Sequence, residues 1–387
     1  MQRALELAAL GRYTTQPNPC VGCVVVQGDR IVGEGWHRKW GEPHAEPLAL
    51  QAAGAAARDA TVYVTLEPHS YQGRTPPCTE ALIRAGVRRV VSAVLDANPK
   101  VSGDGVRQLQ AAGIEAQVGL LADAARELNL GFEKRMQTGL PRVIVKSAIS
   151  LDGRIALANG ESKWITGEAA RADVQRLRAR MSAIVTGVDT VIADDPQMNV
   201  RDPAIDMLGR QPLRVVLDSR LRMPAAARML KQPGQTLVVT GVTPPRDRSI
   251  GRDGASTATE SGWSRQESAL TAKGDAEIYG MEAGADITTV ALDENGRVDL
   301  HSVLQELGRR MCNDVLIEAG PTLVGRVLEL DLADELVVYI APVLLGPDAR
   351  PMAKLPALGE LAGAQRYTLH SHDRVGDDVR LVLRRRH

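Results

Sequence analysis

The sequence predicts a two-domain α/β protein, on three observations. Its 387 residues exceed what a single hydrophobic core ordinarily serves. Short β-branched runs alternate with helical runs along most of the chain, the pattern of strand–helix–strand units. Between two such series stands the breaker Gly139-Leu140-Pro141, so residues 1–139 and 142–387 are expected to fold around separate cores.

Residues 1–8 have the apolar spacing of an amphipathic helix, and 21–26 read as a core strand. His44 opens an alanine-rich helical run to Leu50, preceded by Gly41-Glu42-Pro43. Residues 60–66 read as a buried strand and 77–83 as a helix start, with Pro77 suited to its first turn. Beyond the seam, strands are expected at 142–148, 183–186, 213–218, 236–240 and 314–318, with a helix over 168–181. That alternation argues for a mainly parallel, doubly wound sheet, to which 336–340 and 379–383 add late strands. Residues 243–275 are rich in Gly, Ser, Arg and acidic residues and are expected as a flexible surface loop; a second reading has Trp263 capping a neighbouring subunit. The final Arg384-Arg385-Arg386-His387 is expected as a solvated tail.

The chemistry concentrates in His44-Ala45-Glu46, Thr65-Leu66-Glu67-Pro68-His69 and Gly73-Arg74-Thr75-Pro76-Pro77-Cys78. Zinc deaminases pair a His-x-Glu segment with a later Pro-Cys and a further Cys, the Glu staying off the metal as general acid/base. A catalytic zinc takes three protein ligands and leaves the fourth position to a water whose pKa it lowers. His44, His69 and Cys78 supply three ligands, and Glu46 is placed to move protons to a ring nitrogen and a departing amine. Helix starts at His44 and Cys78 would aim two positive dipole ends at one site, favouring a thiolate. Cys20 and Cys23 have Cys-x-x-Cys spacing, which allows a redox or metal reading, but 21–26 reads as a strand in which Cys23 is a small core residue. In the second half, Glu318-Ala319-Gly320-Pro321-Thr322-Leu323 is a strand end turning through Gly into a helix, a shape that can present N–H groups to phosphate. No Gly-x-Gly-x-x-Gly follows a strand and no Walker Gly-Lys-Ser/Thr occurs.

With Thr14-Thr15-Gln16-Pro17-Asn18-Pro19 and Val21-Gly22-Cys23-Val24-Val25-Val26, the first half resembles the deaminase half of the bifunctional riboflavin-biosynthesis deaminase/reductase family. Lys146, Ser150-Leu151-Asp152-Gly153-Arg154, Glu161-Ser162-Lys163-Trp164-Ile165-Thr166, the 189–196 segment and Glu318-Ala319-Gly320-Pro321-Thr322 resemble its reductase half. The resemblance implies a cytidine-deaminase-like N-terminal domain and a dihydrofolate-reductase-like C-terminal domain, with zinc and NADPH as cofactors. It implies substrate contact by Asn18 in the first domain and by Ser162, Arg178, Met198, Arg201 and Glu318 in the second. Cofactor contact is implied for Ala148, Trp164, Thr190, Asp194, Ser219 and the Gly320 turn. Arg178 and Arg201 suit a sugar phosphate, which a guanidinium holds by two parallel hydrogen bonds. The family pattern has Cys where this chain has His69; imidazole in place of thiolate leaves a metal site more positive by one charge. That departure raises an alternative, an active reductase carrying a silent deaminase domain as scaffold. Glu46 argues against it, since a scaffold has no need of a carboxylate beside the metal.

Zero net charge and 3% aromatic residues speak against a nucleic-acid-editing deaminase, which would need a basic surface. No apolar run is long enough to span a membrane, the first residues lack a secretory leader, and four cysteines without a paired framework suit a reducing compartment. The expected setting is cytoplasmic. Its expected partners are a small-molecule pyrimidine ribosylamine phosphate and further copies of the chain as a homo-oligomer, with neither nucleic acid nor membrane.

Overall fold

The structure, a computed structural model, describes residues 1–73, 75–242 and 284–386. The loop expected at 243–275 with its Trp263, Arg74 of the proline-rich motif, and His387 lie outside those residues.

The N-terminal half is built on a five-stranded sheet. β1 (Gly22–Gln27) and β2 (Arg30–Trp36) form an antiparallel hairpin, β3 (Thr61–Val64) joins β1 antiparallel, and β4 (Arg89–Ser92) and β5 (Glu115–Val118) continue in parallel, in the order β2-β1-β3-β4-β5. Around it lie α1 (Gln2–Leu10), α2 (Ala45–Ala53), α3 (Cys78–Ala85) and α4 (Asp104–Ala111). The position of α2 follows from two glycines. A Cβ on Gly33 would come within 2.2 Å of Ala49 O, and one on Gly35 within 2.5 Å of Ala45 O, so bare backbone and the alanine face of α2 bring helix and strand into direct contact. That contact sets where His44, the N-cap of α2, and Glu46, in its first turn, project.

The helix α5 (Ala122–Thr138) ends on Gly139, whose φ of 74° is the left-handed cap that glycine adopts without strain. β6 (Arg142–Ser150) follows and starts the second sheet, with the short β7 (Arg154–Ala156) behind it. After α6 (Glu168–Arg180) come β8 (Ala183–Gly187), α7 (Val188–Asp194), β9 (Leu213–Leu217), β10 (Thr236–Thr240) and β11 (Ala285–Thr289). Then follow α8 (Leu300–Arg309), β12 (Asp314–Ile317), α9 (Pro321–Glu329), β13 (Glu335–Ala341), β14 (Arg350–Pro351), β15 (Tyr367–Val375) and β16 (Asp378–Arg385). The nine-stranded order is β11-β10-β9-β8-β12-β6-β13-β16-β15, with only β16 running against the others and so antiparallel to both β13 and β15. Its strands are apolar runs because both faces are covered: Val143, Val145, Val315 and Ile317 belong to one core, Ile144, Ile184, Val216 and Leu316 to the other. β12 inserts between β8 and β6, so the strand order reverses there, and in open α/β sheets the carboxyl ends at such a point form a crevice.

The expected strands and helices are present with end shifts of a few residues, but the strands β2, β4, β5, β7, β11, β14 and β15 and the helices α4, α5, α7 and α8 have no counterpart in the sequence reading. The solvated arginine tail is a correction. Arg384 and Arg385 belong to β16; Arg384 pairs with Glu335 (3.1 Å) and with Glu127 of α5, and Arg385 pairs with Asp331. Carboxylates from α5 and from the turn into β13 and its first residue meet this strand, which a local charge run does not disclose.

Candidate active sites

The first site forms where the N-termini of α2 and α3 face each other at the end of β3. His69 Nδ1 lies 3.1 Å and His44 Nδ1 3.5 Å from Cys78 Sγ, and the three ligand atoms all fall within 4.8 Å of one another. Burial, reinforced by His69 and His37, lowers the His44 pKa to about 3, and burial lowers that of His69, so both rings are neutral with lone pairs to give. Zinc binds N at about 2.0–2.1 Å and S at about 2.3 Å, radii that place neighbouring tetrahedral ligands at separations like these. His69 Nε2 and Glu46 Oε2 are buried and make no hydrogen bond within the chain. The donor set, its neutrality and these orphaned atoms fit a zinc ion. With His44 coordinating through Nδ1, its Nε2–H is left to donate to Thr75 Oγ1, 3.4 Å away, fixing the tautomer.

Burial, then the nearby Glu46, push the Cys78 thiol upward, and a coordinated divalent cation would favour its thiolate. Glu46 is 3% exposed, and burial pushes its carboxyl up to about 7 against its own backbone bond and Cys78. Cys20 and Cys23 are both buried free thiols, Cys23 within the sheet core, and neither lies in the His44/His69/Cys78 cluster.

His37 is a site residue that the sequence reading missed. It is 2% exposed, its ring lies 5.3 Å from that of His44, its Nδ1 is 3.1 Å from Pro43 O, and its Nε2 is 3.1 Å from Asn18 Nδ2. A carbonyl can only accept and the amide nitrogen can only donate, so His37 is the neutral Nδ1–H tautomer; burial lowers its pKa accordingly. Its place just after β2, seven residues before His44, was the available signal.

The second site is a cleft of about 1440 Å³ at the carboxyl ends of the parallel strands, where β8, β12 and β6 adjoin. All eleven residues singled out in this half line it: Ala148 from β6, Ser162 and Trp164 before α6, Arg178 on α6, Thr190 and Asp194 on α7, Met198 and Arg201 after it, Ser219 after β9, and Glu318 and Gly320 before α9. The cleft exceeds the ordinary single-ligand range and has room for a dinucleotide beside a substrate. Gly320 caps the N-terminus of α9, and Arg297, Arg350 and Lys354 line the same space, a donor set that fits a phosphorylated cofactor, while Arg222 is paired with Asp189 and Arg326 with Glu329. Trp164 is 67% exposed, with the Arg171 guanidinium 4.6 Å above its ring.

Arg178 is already paired within the chain. Its Nε and one terminal nitrogen donate to the two oxygens of Glu318 (2.7 and 2.9 Å), and the other reaches Asn199 O at 3.3 Å. Its fork is engaged by a carboxylate, and Arg201, exposed at the rim, has donors to offer a phosphate. Burial alone would push Glu318 up; Arg178, with Lys146 and Arg201 behind it, holds it at about 2.

Residues 1–94 match the family model described as the cytidine and deoxycytidylate deaminase zinc-binding region, and residues 141–381 match the RibD C-terminal domain. The chain is 45% identical to the riboflavin biosynthesis protein RibD of Escherichia coli (strain K12) over 99% of its own length and 98% of the relative's. It belongs to the RibD family. A RibD of Haemophilus influenzae is 44% identical over 99% of this chain and 95% of its own. Among solved structures, Acinetobacter baumannii RibD (form 1) superposes with a TM-score of 0.85 at 44% identity, covering 100% of this chain and 98% of that one. A deaminase/reductase from Thermotoga maritima does so at 0.81 and 29%, covering 100% and 97%. This RibD-family chain is thus a bifunctional enzyme of riboflavin biosynthesis, a zinc-dependent deaminase joined to an NADPH-dependent reductase. No helix among the described residues is long and apolar enough to cross a membrane.

Proposed function

We propose that residues 1–139 deaminate a diaminopyrimidinone ribosylamine 5′-phosphate to the pyrimidinedione. Residues 142–387 then reduce the ribosyl side chain of that product to ribityl. The observation that carries this reading is the pairing in one chain of the His44/His69/Cys78 cluster beside Glu46 with the cleft that all eleven expected reductase-side residues line. A silent deaminase half has that same convergence against it.

His44, His69 and Cys78 would hold the zinc, which when bound supplies an activated water for attack on the ring carbon that bears the amino group. Glu46 receives one proton of the attacking water at Oε2, which has no other partner in the chain, and passes it to a ring nitrogen; it then carries the water's second proton to the amine, which leaves as ammonia as the C–N bond breaks and the carbonyl forms. A carboxyl raised by burial to about 7 is matched to such transfers near neutral pH. Asn18, held by His37, orients the pyrimidine.

In the second half, NADPH when bound supplies the hydride. Ala148, Trp164, Thr190, Asp194, Ser219 and Gly320 would hold the cofactor. Ser162, Met198 and the Arg178–Glu318 pair would orient the sugar, and Arg201 its phosphate. A ring-opened ribosylamine is an imine, so placing the two carbons together is the main task and no strong protein base is needed. We place the enzyme in the cytoplasm, in keeping with four buried free cysteines. We take it to be a homo-oligomer, in keeping with β15, a nine-residue edge strand with Leu369 half exposed.

Mass spectrometry of the substrate after incubation with zinc-loaded enzyme tests both steps. Replacement of NH by O without cofactor, then gain of two hydrogens with NADPH, is expected. Reduction of separately supplied pyrimidinedione without any deamination would defeat the first half of the proposal. Metal analysis tests the ligand set: after exhaustive dialysis the protein should keep about one zinc per chain and His69→Ala should lose it. Zinc-free protein under conditions that load His69→Cys would mean that His69 is not a ligand.

A further inference from the structure

The loop that carries Asn18 is held from the other domain. Asn313, 2% exposed and immediately before β12, donates from Nδ2 to Gln16 Oε1 (2.8 Å) and to Pro17 O (2.9 Å). Its own Oδ1 accepts from Arg135 Nε (2.6 Å), which fixes the amide the right way round for both donations. Ser182 Oγ donates to the same Gln16 Oε1 (2.8 Å) and accepts from Asn313 N (2.9 Å). Gln16 Nε2 is directed at Asp314 Oδ2 and Arg180 O, each at 3.4 Å. Earlier in the loop, Arg210 Nε donates to Tyr13 O (2.7 Å), its other nitrogens being occupied by Met181 O and Ala179 O. From Pro17 the connection is one residue to Asn18, then through His37 to Pro43 O, next to His44.

We propose that Asn313, in the reductase domain, is a positioning residue for deamination, fixing the Gln16–Asn18 loop so that Asn18 meets the pyrimidine. The two reactions then share more than a chain: the amino ends of the reductase strands brace the substrate side of the deaminase, while their carboxyl ends serve the reductase cleft. Two donations from one buried amide, into one backbone carbonyl and one amide oxygen, leave the loop little freedom, and a substrate contact that is preorganised does not spend binding energy on ordering. The inference rests on the reading of Asn18 as a substrate contact.

The test is steady-state kinetics of the full, zinc-loaded chain, with ammonia release for deamination and NADPH oxidation on separately supplied pyrimidinedione for reduction. Asn313→Ala is expected to raise the deaminase KM about tenfold and leave kcat within about twofold, the mark of lost ground-state positioning. Asn313→Asp keeps the acceptor for Arg135 but loses the donor, and should share the KM rise; reductase kinetics and zinc content should be unchanged in both. Gln16→Ala removes the Gln16 part of the tether, with the bond to Ser182, from the deaminase side while leaving the bond to Pro17 O and not exposing Arg135; a smaller KM rise of the same kind is expected, and it decides the matter if the Asn313 variants fold poorly. Asn18→Ala is the reference. A raised KM in Asn18→Ala with none in the Asn313 or Gln16 variants overturns the inference alone, as does a fall in both activities together with a normal Gln16→Ala. A flat Asn18→Ala overturns the reading of Asn18, and the inference with it.

Discussion

Glu46→Gln is expected to slow deamination by about 10²- to 10⁴-fold at saturating substrate, the range that a positioned general acid/base contributes. Glutamine keeps the volume of a side chain that is 3% exposed and packed in the first turn of α2, so neither the fold nor the metal ligands should be disturbed. What it loses is a proton-carrying oxygen, and Glu46 Oε2 is the buried carboxylate atom beside the cluster with no other partner in the chain. Ammonia release measures the rate, and zinc content and the reductase rate serve as controls. A loss of less than tenfold with full zinc would remove Glu46 from the proton-transfer role.

The second large effect is expected on the reductase side, from Glu318→Gln. Side chains of Arg178 and Glu318 are only 12% and 13% exposed and share two charge-assisted bonds, with the partly buried Lys146 as a further cation. Removing one member of a buried pair leaves the other charge uncompensated, which costs about 3–5 kcal/mol. Denaturant unfolding at pH 7 should register that loss, and reduction should weaken because the pair lies in the cleft wall. The pH dependence has a definite sign. Folded Glu318 sits at about 2 against an ordinary 4.5, so its stabilisation is complete above about pH 4.5 and disappears as the pH falls towards 2. The variant should lack that part of the acid-induced loss. Equal midpoints for wild type and variant at pH 7 would show that the pair does not hold this wall together.

The difference between these two residues in legibility is instructive. Glu46 could be recognised from its spacing to His44 because both stand on one helix start, where two residues of separation decide which groups share a site. Glu318 was read as a substrate contact and Arg178 as a phosphate fork, yet the two are 140 residues apart and their bond follows from β12 being laid beside β8, under α6. His37 escaped notice for the same reason: its meaning comes from Asn18 and Pro43, brought to its two ring nitrogens by the hairpin and the loop before α2.

By itself the sequence determined the alternation of elements, the break at Gly139, the choice of His44, His69 and Cys78 as a candidate ligand set with Glu46 beside it, and the apolar strands of a sheet covered on both faces. These depend on short-range period and on residue type, which a chain carries wherever it is placed. Tertiary structure alone decided that Gly33 and Gly35 seat α2, that Arg178 is already paired, that the terminal arginines are strand residues, and that Asn313 reaches into the neighbouring domain. Each of those depends on polar or bare backbone groups finding partners far along the chain. A buried donor or acceptor must be satisfied, but which partner satisfies it is settled only when the sheet edges and helix ends meet.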